Sequence, residues 1–331
     1  MELALVKALT TLSGVLGDAE KKMASKSVLV VGATGHLGRH FPSALKEKGK
    51  DVLLLLRKET VQSTDQAKRA LVDGFVKQGA RIIEGNMEET ASLERACAEA
   101  DAVISAVSST LAAQPGLLNA AKKTGRVQRF IPSEFGFDHT LVPKGTCALL
   151  DWKQGLQGIF DQTKIPITYV YSNAFMSYWG SGLGQLGLTE PPRDQINVYG
   201  DGNVKTAMVT CEDIARYTVS ILDDSRTVNR HVAISPEDNL YSQNELIAHW
   251  EKRVGLKLKR NVVSDAMLEG AIEHLATKPE KMLDLIYTQL TRAAWILGIA
   301  SNKRSDALEA TELYPDIKYE RVETFLDRFA K

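Results

Sequence analysis

Three glycines with the spacing G-x-x-G-x-x-G follow a predicted apolar strand near the amino terminus. The strand, residues 28 to 31, runs directly into Gly32, and Gly35 and Gly38 follow at that spacing. In this pattern the first glycine permits a tight strand-to-helix turn, the second lets a pyrophosphate approach the backbone, and the third lets the helix pack close to the strand. The free N–H groups and partial positive charge of the helix start favour phosphate. We therefore expect a dinucleotide to bind at the three glycines and at the residues between them, Thr34, His36 and Leu37.

A basic residue ends the next predicted strand, residues 51 to 56. In the usual NAD-binding arrangement an acidic residue stands about 20 residues past the glycines and accepts hydrogen bonds from the ribose hydroxyls. Here the strand is followed by Arg57 and Lys58. A carboxylate would repel a 2′-phosphate, whereas a guanidinium binds it in a fork. Arg57 therefore favours NADP(H) over NAD(H); the alternative is that both side chains are solvated charges at a strand end.

Strand and helix patterns alternate along the chain up to about residue 172. The predicted strands are 28–32, 52–56, 81–84, 102–107, 129–132 and 167–171. Helical patterns lie between them, near 36–48, 63–78, 90–99, 113–124 and 149–163. Because this alternation is typical of a parallel sheet covered by helices on both faces, the sequence predicts an α/β fold with a Rossmann-type doubly wound parallel sheet.

Ligands of such a sheet bind beyond the C-terminal ends of its strands. This rule places five segments around one crevice: Gly32–Gly38, Arg57, Ser105–Ser109, Ser133–Phe137 and Asn173–Tyr178. We expect Ser105 to contact the cofactor there.

After residue 172 the alternation loosens. Residues 199–205 predict a hairpin turn, and helices are predicted near 211–223, 241–254, 264–276 and 280–297. We therefore expect an NADP-binding domain over residues 25–172 and a smaller, mixed α/β substrate lobe over residues 173–331, with some segments returning to the sheet.

Residues 1–24 are expected to form an N-terminal extension. Apolar residues recur there at roughly helical spacing, at Leu3, Val6, Leu9 and Leu12. Acidic residues and the lack of a continuous apolar core argue against a secretory signal. The pattern predicts a helix that packs on the protein or serves an interface; a flexible extension is the alternative.

The composition excludes several classes of protein. The chain has 331 residues, 41 of them basic and 41 acidic, so no net positive charge favours nucleic acid or a membrane surface. Its three cysteines are odd in number and lack metal-ligand spacing, which favours a reduced, cytoplasmic compartment and no metal. No apolar run approaches the length needed to cross a bilayer.

A candidate catalytic lysine lies in the predicted helix after the fifth strand. Short-chain reductases carry Tyr-x-x-x-Lys, but here the tyrosine position holds Leu149 while Lys153 is kept, and Ser133 lies where an upstream serine is expected. The literal match at Tyr314 to Lys318 contains a proline and lies near the C-terminus, so we regard it as accidental. A lysine amine can act as acid and base only where desolvation or a neighbouring positive charge lowers its pKa towards neutrality. The alternative is an ordinary surface lysine whose stem lies along the helix.

These segments resemble the family of isoflavone reductase, pinoresinol–lariciresinol reductase and phenylcoumaran benzylic ether reductase, which are NmrA-like atypical short-chain reductases. The resemblance extends from about Ser27 to Phe329. It is carried by residues 31–38, 129–136, 165–170, 172–175, 191–194, 199–205, 212–215, 223–227 and 312–319. The segments Pro-Ser-Glu-Phe-Gly at 132–136 and Tyr-Gly-Asp-Gly-Asn-Val-Lys at 199–205 are the most specific.

The resemblance implies an NADPH-dependent reductase, commonly dimeric, with a small aromatic substrate. By position, Arg57 matches the 2′-phosphate arginine, Lys68 a second basic residue at that phosphate, and Lys153 the catalytic lysine. Four other positions, with Lys153, match the segments that line the nicotinamide end: Ser133, Phe135, Asn173 and Phe175. An apolar wall suited to a flat aromatic substrate is expected from Phe137, Phe175, Met176, Tyr178 and Trp179, although each of these is equally suited to core packing.

Two hydride acceptors fit this family. In benzylic ethers, a neutral Lys153 would take the phenolic proton and promote opening to a quinone methide that accepts hydride; in enones, hydride would add to the conjugated double bond. Two departures, Gly-Phe-Asp at 136–138 and Ala-Phe-Met-Ser-Tyr-Trp at 174–179, leave the substrate open among phenylpropanoid, flavonoid and polyketide types. A non-catalytic NADP(H)-sensing regulator and a carbonyl reductase are the alternatives.

Overall fold

The computed structural model describes residues 25–108, 111–301 and 304–330. The helix predicted within residues 1–24 and the predicted crevice residue Ser109 lie outside this part of the chain. The described residues divide into two compact units. The first contains the residues up to Ile131 together with Lys164–Thr168 and Val219–Arg230, and the second contains the remainder.

The first unit is built on a five-stranded parallel sheet with the order β3-β2-β1-β4-β5. The strands are β1 (Ser27–Val31), β2 (Asp51–Leu56), β3 (Arg81–Glu84), β4 (Ala102–Ser105) and β5 (Arg129–Ile131). The central strand β1 pairs on both sides, with Val28 opposite Val52 in β2 and opposite Ala102 in β4. This is the strand order of a doubly wound dinucleotide-binding sheet, so the predicted fold class is confirmed.

Helices connect these strands. They are α1 (Phe41–Glu47), α2 (Lys58–Val61), α3 (Gln66–Lys77), α4 (Thr90–Cys97) and α5 (Gln114–Thr124). The strands β1, β2 and β4 are nearly continuous runs of buried apolar side chains. A strand needs such a run when helices cover both faces of its sheet.

The second unit contains smaller sheets and a second apolar core. Its strands are β6 (Thr168–Tyr171, whose first residue belongs to the first unit), β7 (Ala174–Phe175), β8 (Gln195–Tyr199), β9 (Lys205–Val209), β10 (Arg230–Ala233, entered from the first unit), β11 (Leu240–Ser242), β12 (Lys259–Val263) and β13 (Leu308–Glu309). They form three sheets with the orders β13-β10-β6, β11-β9-β7 and β12-β8. The core includes Trp250 and Trp295, both almost fully buried.

The helices of the second half begin with α6 (Ala148–Phe160) and α7 (Cys211–Leu222). They continue with α8 (Gln243–Val254), α9 (Asp265–Ala276), α10 (Met282–Trp295), α11 (Ala310–Leu313) and α12 (Val322–Asp327). The capping box of α8, in which Ser242 and Glu245 exchange hydrogen bonds with each other's backbone, fixes where that helix begins.

The predicted hairpin at residues 199–205 is wrong. The chain does turn there, with Gly200 and Gly202 both at positive φ, 61° and 74°. The strands on either side do not pair with each other, because β8 pairs in parallel with β12 whereas β9 pairs with β7 and β11. A turn signal specifies a local change of direction, while the partner of each strand is set by contacts distant in sequence.

The division between the units differs from the boundary expected at residue 172. The second unit begins at Pro132 instead, while residues 219–230, a later segment of the kind expected to return, lie in the first unit. One reason is Arg129 at the start of β5, whose guanidinium donates to Thr168 Oγ1 at 2.6 Å and Thr227 Oγ1 at 3.2 Å. These bonds tie the return segment to the sheet, which alternating strand and helix patterns alone do not reveal.

Candidate functional site

The glycine loop between β1 and α1 has no room for larger side chains. Gly32 has a φ of 91°, and its oxygen accepts a hydrogen bond from Gly35 N at 2.9 Å. A Cβ on Gly38 would lie 2.0 Å from Gly32 O, and a Cβ on Gly32 would lie 2.4 Å from Ala106 O. The first and third glycines are therefore required by the close approach of backbone to backbone, as the motif predicts.

A cavity of about 340 Å³ opens beside this loop in the first unit. It is bounded by the ends of β1 and β2 and by the segments that follow β3 and β4. Predicted cofactor residues among its walls are Gly32, Thr34, Gly35 and Arg57. His36 is exposed, whereas Leu37 and Gly38 are buried beneath the loop. The cavity therefore lies where the C-terminal ends of parallel strands meet, the usual ligand edge of such a sheet.

Two basic side chains were predicted at a 2′-phosphate, and only one of them borders the cavity. Arg57 lies at the wall, with a side chain that is 67% exposed and a loose contact of 3.4 Å from Nε to Glu59 Oε1. Lys68 is exposed near the start of α3 and is not part of the cavity wall. Glu59 places a carboxylate beside Arg57, so an incoming phosphate must draw the guanidinium away from that partner.

The residues present fit a dinucleotide. Ser105, at the end of β4, is fully buried and precedes the cavity-lining residues Ala106 to Ser108 without itself being part of the wall, and its hydroxyl has no hydrogen-bond partner among the described residues. A buried hydroxyl without a partner is uncommon in a folded protein, and a ligand or ordered water usually satisfies it. With the glycine loop and the free face of Arg57, the first unit offers close backbone approach for a pyrophosphate and a cation for a phosphate.

Lys153 lies in α6 of the second unit and is buried, with 7% of its surface exposed. Its amine donates a hydrogen bond to the backbone oxygen of Glu134 and lies 3.7 Å from the Glu134 carboxylate. Lys153 is therefore not the ordinary surface lysine that the alternative interpretation describes. Whether it meets a cofactor stays a prediction.

The backbone around Lys153 contains two residues in the left-handed region. Phe135 has a φ of 36° and Asn173 a φ of 53°. Phe135 N donates to Val170 O at 2.8 Å, Ser172 Oγ donates to Phe135 O at 2.6 Å, and Asn173 N donates to Gly136 O at 3.1 Å. Left-handed non-glycine residues cost free energy and cluster at functional sites. Two of the predicted nicotinamide-end residues are thus held in strained conformations by a shared network.

The predicted aromatic wall divides into buried and exposed members. Phe137, Met176 and Trp179 belong to the core of the second unit, and each is at most 5% exposed. Phe175 and Tyr178 stack at 5.8 Å with nearly parallel rings, and Tyr178 is 44% exposed. In this structure, then, only that stacked pair presents an aromatic face, while the other three support it from the core. Residues 176–180 form a π-helical turn, a feature that recurs at functional sites.

Sequence reasoning missed two titratable groups beside Lys153. Glu134 and His139 both have fully buried side chains, and His139 Nδ1 lies 3.2 Å from Glu134 Oε2. On its other side, His139 Nε2 lies 2.7 Å from Gln157 Oε1, one turn after Lys153 in α6. The sequence offered one signal of a polar cluster beside Lys153. Gln157 follows Lys153 by four residues, so both side chains lie on the same face of the helix.

A second aromatic group lies next to this cluster. Tyr169, His231 and Tyr171 form a stack in which the imidazole lies 4.9 Å and 5.8 Å from the two phenol rings. Burial and, secondarily, the positive charge of Arg304 lower the pKa of His231, and burial raises the pKa of Tyr171. The stack is therefore uncharged near neutral pH.

Within residues 25–108, 111–301 and 304–330, no group of three or more His, Cys, Asp or Glu side chains could hold a metal ion. No helix among them has both the length and the apolar character needed to span a bilayer.

The chain is similar to known proteins over most of its length. The sequence model of the NmrA-like family matches residues 24–326. A phenylcoumaran benzylic ether reductase from Ginkgo biloba is 35% identical over 312 residues, which covers 93% of this chain and 100% of that protein. Eugenol synthase 1 from Petunia hybrida is 36% identical over 318 residues, with the same coverage.

A solved structure is similar in fold as well as in sequence. It is that of AtPrR2 with NADP⁺ and (+)-pinoresinol, which has a TM-score of 0.83 and 34% identity to this chain. The match covers 92% of this chain and 98% of that one.

Proposed function

The chain belongs to the NmrA-like family, and from that membership we propose that it reduces a small aromatic molecule with Lys153 as general acid and base. It is an NADPH-dependent oxidoreductase. The substrate is of phenylpropanoid, flavonoid or polyketide type, and hydride enters at a benzylic ether or a conjugated enone. The observation that carries the proposal is the burial of the Lys153 amine beside two strained backbone segments.

For a benzylic ether, the Lys153 amine takes the proton of the substrate's phenol. The phenolate pushes electrons through the ring, the benzylic C–O bond breaks, and the ether oxygen leaves with the bonding pair. NADPH, when bound, supplies the hydride that adds to the benzylic carbon of the resulting quinone methide. The Lys153 ammonium then returns its proton to one of the two product oxygens that carry negative charge, and a proton from solvent completes the other, because reduction by NADPH consumes one proton overall. Glu134 O, as an acceptor for the amine, orients it during both transfers.

For a conjugated enone, the same amine has a different partner. The carbonyl oxygen of the substrate gains negative charge as hydride adds at the β-carbon, and the Lys153 ammonium stabilises and then protonates it. The stacked pair of Phe175, which is half-buried, and Tyr178, which is exposed, offers an aromatic face against which a flat substrate can stack.

A panel of substrates distinguishes these possibilities. We expect NADPH to be oxidised with phenolic benzylic ethers or aromatic enones, and to be stable with simple aliphatic ketones. Oxidation by simple ketones alone would favour carbonyl reduction, and the absence of oxidation across phenylpropanoid, flavonoid and polyketide members would contradict the proposal.

Replacing Arg57 with Glu is expected to weaken NADPH binding at least about tenfold more than NADH binding. The reason is that hydrogen bonds to a charged group contribute roughly 10- to 100-fold in affinity, and only NADPH carries the 2′-phosphate. Titration calorimetry or cofactor fluorescence measures both dissociation constants. Arg81→Glu is the matched control. Arg81 begins β3 and therefore lies at the amino-terminal ends of the parallel strands, whereas Arg57 follows the carboxyl end of β2. Equal weakening of both cofactors by Arg57→Glu would refute the assignment.

A further inference from the structure

We propose that Glu134 and His139 control the charge of the Lys153 amine. The buried Glu134 carboxylate is balanced by one positive neighbour, which is either the His139 imidazolium or the Lys153 ammonium. His139 and Glu134 act through Lys153 and are positioning residues. The inference rests on the proposed role of Lys153 and adds to it a device that decides when the amine is neutral.

The geometry places one carboxyl group without a hydrogen bond, that of Glu134, between two basic side chains. The side chains of Glu134 and His139 have no exposed surface, and that of Lys153 is 9% exposed. Glu134 Oε2 lies 3.2 Å from His139 Nδ1 and 3.7 Å from Lys153 Nζ. Neither carboxylate oxygen has a hydrogen bond of good geometry in the described part of the chain. Burying a carboxylate without a compensating charge is very costly, so an ionised Glu134 needs one of these two neighbours as its cation.

His139 is placed to carry the positive charge. One ring nitrogen faces Glu134 Oε2 and the other faces Gln157 Oε1 at 2.7 Å. A neutral imidazole has a hydrogen on only one nitrogen, whereas an imidazolium donates from both. With Gln157 presenting its oxygen, the doubly protonated ring donates to Gln157 Oε1 and places its positive charge 3.2 Å from Glu134 Oε2.

The charge on His139 has a consequence for Lys153. When the imidazolium balances Glu134, the lysine amine does not need to be charged, and its lone pair is free for the substrate's proton. It can still donate a hydrogen to the backbone oxygen of Glu134 when neutral. When His139 is neutral or absent, the carboxylate favours the ammonium instead.

Other titratable groups face the cluster without neutralising Glu134. Tyr171 meets the His139 ring edge-on at 5.9 Å. Asp138 and Arg304 are engaged through Thr140, whose hydroxyl lies 2.6 Å from Asp138 Oδ1 and 3.0 Å from Arg304 Nη1. The remaining groups near the cluster are Tyr169, His231, Asp161, Cys147 and Asp151.

Two substitutions should shift Lys153 in opposite directions. His139→Gln leaves the carboxylate with Lys153 as its only cation, so the amine should become neutral at a higher pH. Glu134→Gln removes the anion, so the amine should become neutral at a lower pH. An opposite charge at this distance shifts the midpoint of a titration by about one pH unit or more. At a fixed pH, this corresponds to about a tenfold change in the neutral fraction of the amine.

Trace acylation measures this directly, because only the neutral amine reacts. The protein without substrate is treated with a limiting amount of isotopically labelled acetic anhydride across a pH series, and the peptides are quantified by mass spectrometry. Exposed Lys144 is the internal reference. The control variant is His231→Gln, which removes the other imidazole next to Tyr171 and should leave the Lys153 profile unchanged.

Opposite shifts in His139→Gln and Glu134→Gln support the proposal. No shift, or shifts in the same direction, would overturn it, since residues that only hold the fold together give no reason for opposite signs. If His139→Gln does not fold, Gln157→Leu can replace it. This substitution removes the acceptor from His139 Nε2 and should also raise the pH at which the Lys153 amine becomes neutral. The labelling needs no turnover, so it separates failure of this inference from failure of the proposed function, which Lys153→Met tests by itself.

Discussion

Replacing Lys153 with Met is expected to lower kcat by about 10²- to 10⁴-fold, while the dissociation constant for NADPH changes by no more than a few fold. The range is that of general acid–base catalysis by a positioned side chain. Methionine keeps the apolar stem that packs along α6 but removes the amine that donates to Glu134 O. The glycine loop and Arg57 are untouched, which is why cofactor affinity should persist.

The measurement is steady-state NADPH oxidation together with direct cofactor titration. Lys144→Met is the control, because Lys144 is an exposed lysine of the same unit and should behave like the wild type. A thermal melt checks that Lys153→Met is folded, since Glu134 loses one of its two basic neighbours. A variant that is folded, binds NADPH and turns over at the wild-type rate would remove Lys153 from the mechanism.

The second large effect is expected from Gly38→Ala. The added Cβ would lie 2.0 Å from Gly32 O, and because the atoms it meets belong to the backbone, the loop must move to admit it. Overpacking of this kind costs typically about 1–3 kcal/mol. The displaced loop is the one that would hold the pyrophosphate. We therefore expect NADPH affinity to fall by about tenfold to a hundredfold and the melting temperature to drop.

Gly74→Ala is the matched control for that substitution. Gly74 lies inside α3, and a Cβ there meets nothing within 4 Å. Alanine in a helix interior is favoured over glycine by about 0.5–1 kcal/mol, so this variant should be slightly more stable and bind NADPH normally. Normal affinity in Gly38→Ala would show that the third glycine is not required by close packing.

The first unit could largely be predicted because its signals are local. The strands β1, β2 and β4 are nearly continuous apolar runs, and the glycine spacing fixes both the turn and the start of the next helix. The end of β2 likewise identified Arg57 at the cavity. The hairpin at 199–205 failed for the opposite reason, since β8 and β9 find partners far away in the chain.

The surroundings of Lys153 could be predicted only in part. Lys153 was found from its place in a helix, but Glu134 and His139 come from the turn after β5, and only the folded chain brings their side chains together. The aromatic residues illustrate a second difficulty. Met176 and Tyr178 are two residues apart with similar apolar character, yet Met176 is fully buried and Tyr178 is 44% exposed. A pattern of apolar residues does not distinguish a core from a binding wall.

The most direct test of the account is a single turnover with NADPH deuterated at both C4 positions, comparing the wild type with Lys153→Met. The substrate is a phenylcoumaran with a free phenol or, if the panel favours it, an aromatic enone. We predict one deuterium at the benzylic carbon, or at the β-carbon of the enone, with the wild type and almost none with the variant. Deuterium at another carbon, or equal incorporation by the two proteins, would contradict the assignment of Lys153 as the acid–base group of this reduction.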